Sequence, residues 1–257
     1  MVHPAGTSSG VPADPSIPTR VLAVPSDLVP ILWGRGIAAA EGSVVALTTT
    51  QFRVRKEWAH ALLLRLGDGA LVGVGGRIAV DPGVGTLGRA VHLLRYSEHL
   101  VSARSASAAD PAGENAAYLR TAILEDCPDL SRGFWEVDAH RRWRLEGRQL
   151  ADAPEAICDF VPTVSLGDML LNRFVHGRHF GRYRVAQLGW SRWRAVAVTP
   201  LVPVVLLARI AGRVRRAGQP LGPVLTVLPA LAALAVAWAA GEAWGALRPG
   251  GSDAVGG

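Results

Sequence analysis

Up to about Gly189 the chain mixes apolar and charged positions in short alternating bursts, and beyond it nearly every residue is apolar or Arg. In the first part, residues 20–25 predict a short strand, and the Ala-rich stretch 32–41, followed by Gly42, predicts a helix with a glycine stop. Residues 44–47 (VVAL) predict a buried strand. A second helix is expected over 54–66, stopped by Gly67, and a further strand over 70–74, with Gly75 and Gly76 as a tight exit. Strands alternating with helices imply an α/β sheet with parallel neighbours. Helices are also expected over 87–99 and 137–146, the second ended by Gly147, with a long loop of small residues over 102–113 between them.

The second part carries the membrane signal. Residues 221–241 are 21 in a row without a charge, and at 1.5 Å per residue they extend about 31 Å, close to the thickness of a bilayer's hydrocarbon, so this segment is expected to cross. Trp238 and Trp244 lie toward one end of it, and Trp190 and Trp193 precede an earlier apolar stretch, as interfacial indoles would. That earlier stretch, 195–208, is uncharged but shorter and is interrupted by Pro200 and Pro203. Two topologies stand for it: a re-entrant or in-plane segment, or the first arm of a spanning hairpin with Arg194 and Arg209 snorkelling. The hairpin would place one Arg cluster outside, against the positive-inside rule.

Charge changes the picture of the partners. The net charge is +6, but residues 169–241 contain no Asp or Glu, while Arg173, Arg178, Arg182, Arg184, Arg192, Arg194, Arg209, Arg213, Arg215 and Arg216 all fall there. Arginines bordering apolar segments point to anionic membrane lipids and not to nucleic acid. Residues 1–19, rich in Pro, Gly, Ser and Ala, have no apolar run of a secretory signal and read as a flexible leader. The soluble part is therefore expected on the cytoplasmic side of the cell membrane. Cys127 and Cys158 read as reduced, inert thiols. The expected organisation is a leader over 1–19, an α/β domain over 20–164, a basic amphipathic interfacial segment over 165–194, membrane helices over 195–247 and a flexible tail over 248–257. No internal repeat, zinc-ligand spacing or phosphate loop is present, since Gly73, Gly75 and Gly76 lack the Lys and Ser/Thr of a nucleotide cradle.

Four stretches occur in a telling order: LWGRGIAAAEGSVVALTTTQF, VGVGGRI, GENAAYLRTAIL and GFWEVDAHRRWRLEGRQL. Together they resemble the second half of a family-two glycosyltransferase with a GT-A fold, and LLNRFVHGRHFGRYR before apolar helices looks like the membrane-associated members. The resemblance implies an incomplete GT-A-like (Rossmann-like) sheet with flanking helices, followed by C-terminal membrane helices. It implies inverting transfer of a sugar from a nucleotide-sugar donor to a lipid-linked or cell-envelope acceptor. By position, Glu136 matches the family's catalytic base, a carboxylate that takes a proton from the acceptor hydroxyl. Asn115 and Arg120 match its acceptor-side loop, Asp138 and Arg142 share the helix of the base as substrate-binding residues, and His176, Arg178, His179 and Arg182 would meet donor or lipid phosphate. Each has a plainer reading beside this one. Glu136 sits where an acid favours a helix N-terminus, Asn115 where a cap would, and the HGRHFGR stretch where an interfacial anchor would.

The chain also departs from the pattern. After residues 44–47, where the family carries a metal-binding Asp-x-Asp, stand Thr48, Thr49, Thr50 and Gln51. Hydroxyls and an amide are poor ligands for the Mg or Mn that the resemblance implies, so no residue is assigned to a metal. The family's donor-side opening units have only the leader in their place, and Asp159 stands near a position where many relatives carry His. Two readings follow: an enzyme, completed by more sequence or by a partner chain, or a non-catalytic fragment that binds saccharide or a partner. A membrane scaffold without a sugar ligand is a third.

Overall fold

The computed structural model describes residues 1–6, 18–26, 28–67, 69–102, 110–186 and 188–248. In chain order these form β1 (Val2–Pro4), β2 (Leu22–Val24), α1 (Val29–Ala39), β3 (Val44–Leu47), β4 (Phe52–Val54), α2 (Trp58–Leu66), β5 (Leu71–Val80) and α3 (Thr86–Tyr96). Then come β6 (Ala116–Leu119), α4 (Arg120–Asp126), α5 (Glu136–Leu145), β7 (Gln149–Phe160), α6 (Leu166–Ala186), α7 (Arg192–Val198), α8 (Leu201–Arg216) and α9 (Gly222–Leu247). The fold is mixed α/β, with a five-stranded sheet in the order β3-β6-β5-β7-β4 and flanking helices.

The expected parallel neighbours are not what the registers show. β3 pairs antiparallel with β6, Val45 opposite Tyr118, and β5 pairs antiparallel with β6, Val74 opposite Ala117. β3 and β5 do run the same way, as a strand–helix–strand reading requires, but β6 is inserted between them. Its sequence, AAYL, is too short and too rich in Ala to announce a strand.

Two compact units emerge. In the first (residues 1–49, 54–77 and 107–158), Val45 and Leu47 alternate inward from β3 and pack with Trp33, Ile37, Tyr118, Ile123, Phe134 and Trp143. The second unit (50–53, 78–106 and 159–257) has two centres. Phe52, Tyr96 and Phe160 pack edge-to-face or tilted, with ring centroids 5.3–5.5 Å apart. Ala90, Leu93 and Leu100 pack with Ile210, Val214, Val224, Val227 and Leu231.

Several boundaries differ from expectation for physical reasons. The helix expected from residue 54 begins at Trp58, because Phe52–Val54 is strand β4. β5 does not leave the sheet at Gly75 and Gly76 but continues to Val80. The glycines serve close packing: a Cβ on Gly76 would lie 1.9 Å from the Ala156 carbonyl, and one on Gly75 would lie 2.7 Å from Pro111. In the expected leader, Val2–Pro4 pairs parallel with β2, while residues 7–17 lie outside the described residues. So do residues 103–109 of the expected loop and the tail beyond Arg248. α9 is a helix long and apolar enough to cross a membrane, and α7 and α8 form a pair bent by 51° at Thr199 and Pro200, which as one broken span would be a second.

Candidate functional site

Glu136 opens α5, and the local sequence fixes where that helix starts. Gly133 takes φ +95°, a conformation side-chain-bearing residues avoid, and lets the next amide, of Phe134, donate to the Pro30 carbonyl at 2.8 Å. Phe134 is then buried and Trp135 stays exposed, with its indole N–H donating to the Arg132 carbonyl at 3.1 Å. The stem of Glu136 rests on Gly113, where an added Cβ would meet Glu136 Cγ at 2.8 Å and the Trp33 ring at 2.9 Å. Burial raises the carboxyl pKa of Glu136 above its ordinary value; the helix's own N–H opposes this, and the nearby charges of Glu114 and Asp138 add to it. A half-buried carboxylate raised in this way is a better base than a solvated one.

Around it, the other candidates have definite places. Asp138 is exposed on the first turn of the same helix. Arg142 makes a two-pronged ion pair with Asp126, Nε and Nη2 each at 2.6 Å from a carboxylate oxygen, tying α5 to α4. Arg120 starts α4 and reaches the Ile37 carbonyl through Nε at 3.5 Å. Asn115 is fully buried. Its Oδ1 accepts from the Trp58 indole at 2.5 Å, and its Nδ2 donates to the carbonyls of Arg77 at 2.9 Å and Ala156 at 3.3 Å.

Motif reading passed over a buried polar pair beneath α5. The Tyr118 hydroxyl lies 2.9 Å from His140 Nε2, and His140 Nδ1 lies 4.0 Å from Asp110, which Arg144 holds at 2.5 Å. Burial, helped by the charges of Glu136, Glu114 and Asp110, keeps Tyr118 neutral by pushing its pKa well up. The available signal was spacing, for His140 is four residues after Glu136 and so one turn on. Trp33 and Trp135 carried no signal beyond their type.

The remaining candidates lie on α6, in the second unit. His176 is exposed, whereas Arg178, His179 and Arg182 are half-buried. The His176 pKa is lowered by partial burial and then by the positive charges of Arg173, His179 and Arg95. Arg173, Arg178 and Arg182 make the helix basic, of the type that attracts phosphate, and the lowered pKa leaves the His176 imidazole neutral beside them. α6 lies parallel to α9 with backbones touching: a Cβ on Gly177 would be 2.1 Å from the Trp238 carbonyl, on Gly181 2.1 Å from that of Glu242, on Gly241 2.0 Å from that of Phe174, and on Gly245 2.0 Å from that of Arg178. The buried Glu242 receives Arg184 at 2.7 Å and the Trp238 indole at 3.2 Å.

Cavities of about 460 Å³, beside Asp81 and the start of α3, and about 440 Å³, beside β2 and α1, do not include Glu136. Among the described residues no three His, Cys, Asp or Glu side chains gather as a metal site needs, and Thr48 to Gln51 after β3 supply no carboxylate. The divalent cation suggested by the sequence resemblance therefore does not fit these residues. Neither the protein-family models nor the curated proteins offer a match to this chain.

Proposed function

We propose that the chain is a membrane-attached, glycosyltransferase-like protein on the cytoplasmic face, with Glu136 as the base that activates a saccharide or lipid-linked acceptor. The acceptor hydroxyl gives its proton to Glu136 as its oxygen bonds to the anomeric carbon of a nucleotide-activated sugar. The bond from that carbon to the diphosphate breaks on the opposite face, and configuration inverts. The observation that carries the reading is the seat of Glu136, held at the head of α5 against Gly113 and Trp33 with its pKa raised. The exposed ring of Trp135 beside it suits the apolar face of a sugar. The basic face of α6, Arg178 and Arg182 with His176 and His179 as hydrogen-bonding imidazoles, suits lipid or donor phosphate. The reading calls for donor-side carboxylates, which Thr48 to Gln51 do not supply.

One observation favours a second reading, a saccharide- or partner-binding module without catalysis: Thr48, Thr49, Thr50 and Gln51 offer a cation no carboxylate. The two part in the producing cell. Deleting the gene and replacing Glu136→Gln should change the same lipid-linked or envelope saccharide, read by mass spectrometry at equal protein level. A deletion that alters no saccharide would overturn the glycosyltransferase reading, and a Glu136→Gln cell indistinguishable from the wild type would favour the binding module.

A further inference from the structure

α9 has the length and composition of a span, but its packing does not suit one. Its 26 residues extend about 39 Å, and helices that carry charge hold it at both ends. Near its start, Val224, Val227 and Leu231 pack with Ala90 and Leu93 of α3, the helix that also bears Arg89, His92 and Arg95. Near its end, from Trp238 to Ala246, its backbone touches that of α6 through the four glycines.

The turn between α8 and α9 is fastened as well. Gln219 Nε2 donates to the Val101 carbonyl at 2.8 Å, Ser102 Oγ to the Ala217 carbonyl at 3.1 Å, and Arg213 pairs with Glu98 and reaches Ser97. A hairpin that spans the bilayer would carry this turn to the far side, taking residues 97–102 and the end of α3 with it. A single span by α9 would instead sink α3 or the arginines of α6 into hydrocarbon, which is costly for every charge that loses its water.

Yet α9 is not a buried core helix. Its protein-facing stripe (Val224, Val227, Leu231, Leu234, Gly241, Gly245) is matched on the opposite side by exposed Leu225, Leu228, Val236 and Leu247, an apolar face without a single charge. α8 repeats the pattern with exposed Leu201, Val204 and Val205, followed by exposed Arg209, Arg215 and Arg216. Trp193, 71% exposed, stands on α7 between the exposed Arg192 and Arg194. Apolar faces edged by indole and guanidinium groups, with no acid from residue 169 to 241, complement an anionic leaflet.

We infer that α9 lies in the plane of the membrane, its outward face in the acyl chains of an anionic leaflet, and that neither α9 nor the α7–α8 pair crosses. This rests on the membrane attachment proposed above and specifies its geometry. α6 and α3 remain on the headgroup side, where their arginines keep water and phosphate.

The test uses the full chain with an epitope after Gly257, in sealed membrane vesicles from the producing cell, cytoplasmic face outward. Protease reports on the epitope, and an impermeant maleimide reports on Arg216→Cys, with wild-type Cys127 labelling subtracted. The in-plane arrangement exposes both reporters in intact vesicles. An epitope protected until detergent is added means that α9 crosses once, and a maleimide site protected while the epitope is cut means a hairpin; either overturns the inference. A chain absent from the vesicles overturns the attachment itself, which separates that failure from the other two.

Discussion

The indole N–H of Trp58 donates to Asn115 Oδ1 at 2.5 Å, and Asn115 returns two bonds to the carbonyls of Arg77 and Ala156, so one buried amide ties α2, β5 and β7 together. Asn115→Ala would take the acceptor from the Trp58 indole N–H and one donor from each of the two carbonyls, away from water. It is expected to cost about 2 kcal/mol or more, read as a lowered urea midpoint of the detergent-solubilised chain. A change below about 0.5 kcal/mol, inside the range of an ordinary surface substitution, would return Asn115 to the role of a ligand-binding residue.

Two glycines of the same type should answer oppositely to alanine. A Cβ on Gly181 collides with the Glu242 carbonyl, whereas one on Gly212 of α8 meets nothing within 4 Å. Gly181→Ala is expected to lower Tm by several degrees, and Gly212→Ala to raise stability by up to about 1 kcal/mol through the better helix propensity of Ala. Equal effects would mean that α6 and α9 do not touch.

The raised pKa of Glu136 has a definite sign in stability. The folded chain keeps this proton at a pH where the unfolded chain has lost it, so stability falls as pH rises from the ordinary Glu value through the raised one. Relative to Glu136→Gln, the wild type is expected to lose stability across that window, and the Gln variant to be at least as stable at neutral pH. Denaturation midpoints of both proteins from about pH 4 to 8 check this. A Gln variant clearly weaker at neutral pH would make the carboxylate a support of the helix N-terminus.

Nucleotide-sugar binding should be weak in this chain by itself, because Thr48 to Gln51 supply no carboxylate to hold a cation against a diphosphate. Calorimetry with uridine and guanosine diphosphate sugars and manganese is expected to give no micromolar binding. Such binding by either would show that the donor site is complete here.

Much of the fold could be read where one signal dominated. β3 lies over the expected residues, and Gly67 and Gly147 close α2 and α5 as expected, Gly147 with φ +77°. What escaped depends on partners far off in sequence. β7 contains Pro154 and three acids, yet it is a 12-residue strand whose Ala156, Cys158 and Phe160 alternate inward. Asn115 was legible as a polar residue of interest but not as buried, because its three partners lie 38 to 57 residues away. α9 was legible as apolar. Its two-faced character needed α3 and α6 in place, since an all-apolar helix shows no periodicity of its own.

The most direct test of the account is sugar transfer by membranes of the producing cell, with wild type, Glu136→Gln or Asp138→Asn as the source of the chain. Labelled hexose is followed from nucleotide-sugar donors into lipid-linked or envelope acceptor. Glu136→Gln is expected to lower transfer by roughly 10²-fold or more with protein level and membrane recovery unchanged, while Asp138→Asn, about 200° around the helix, costs much less. Transfer that is undiminished by Glu136→Gln, or diminished equally by both substitutions, would contradict the assignment of Glu136 as the base.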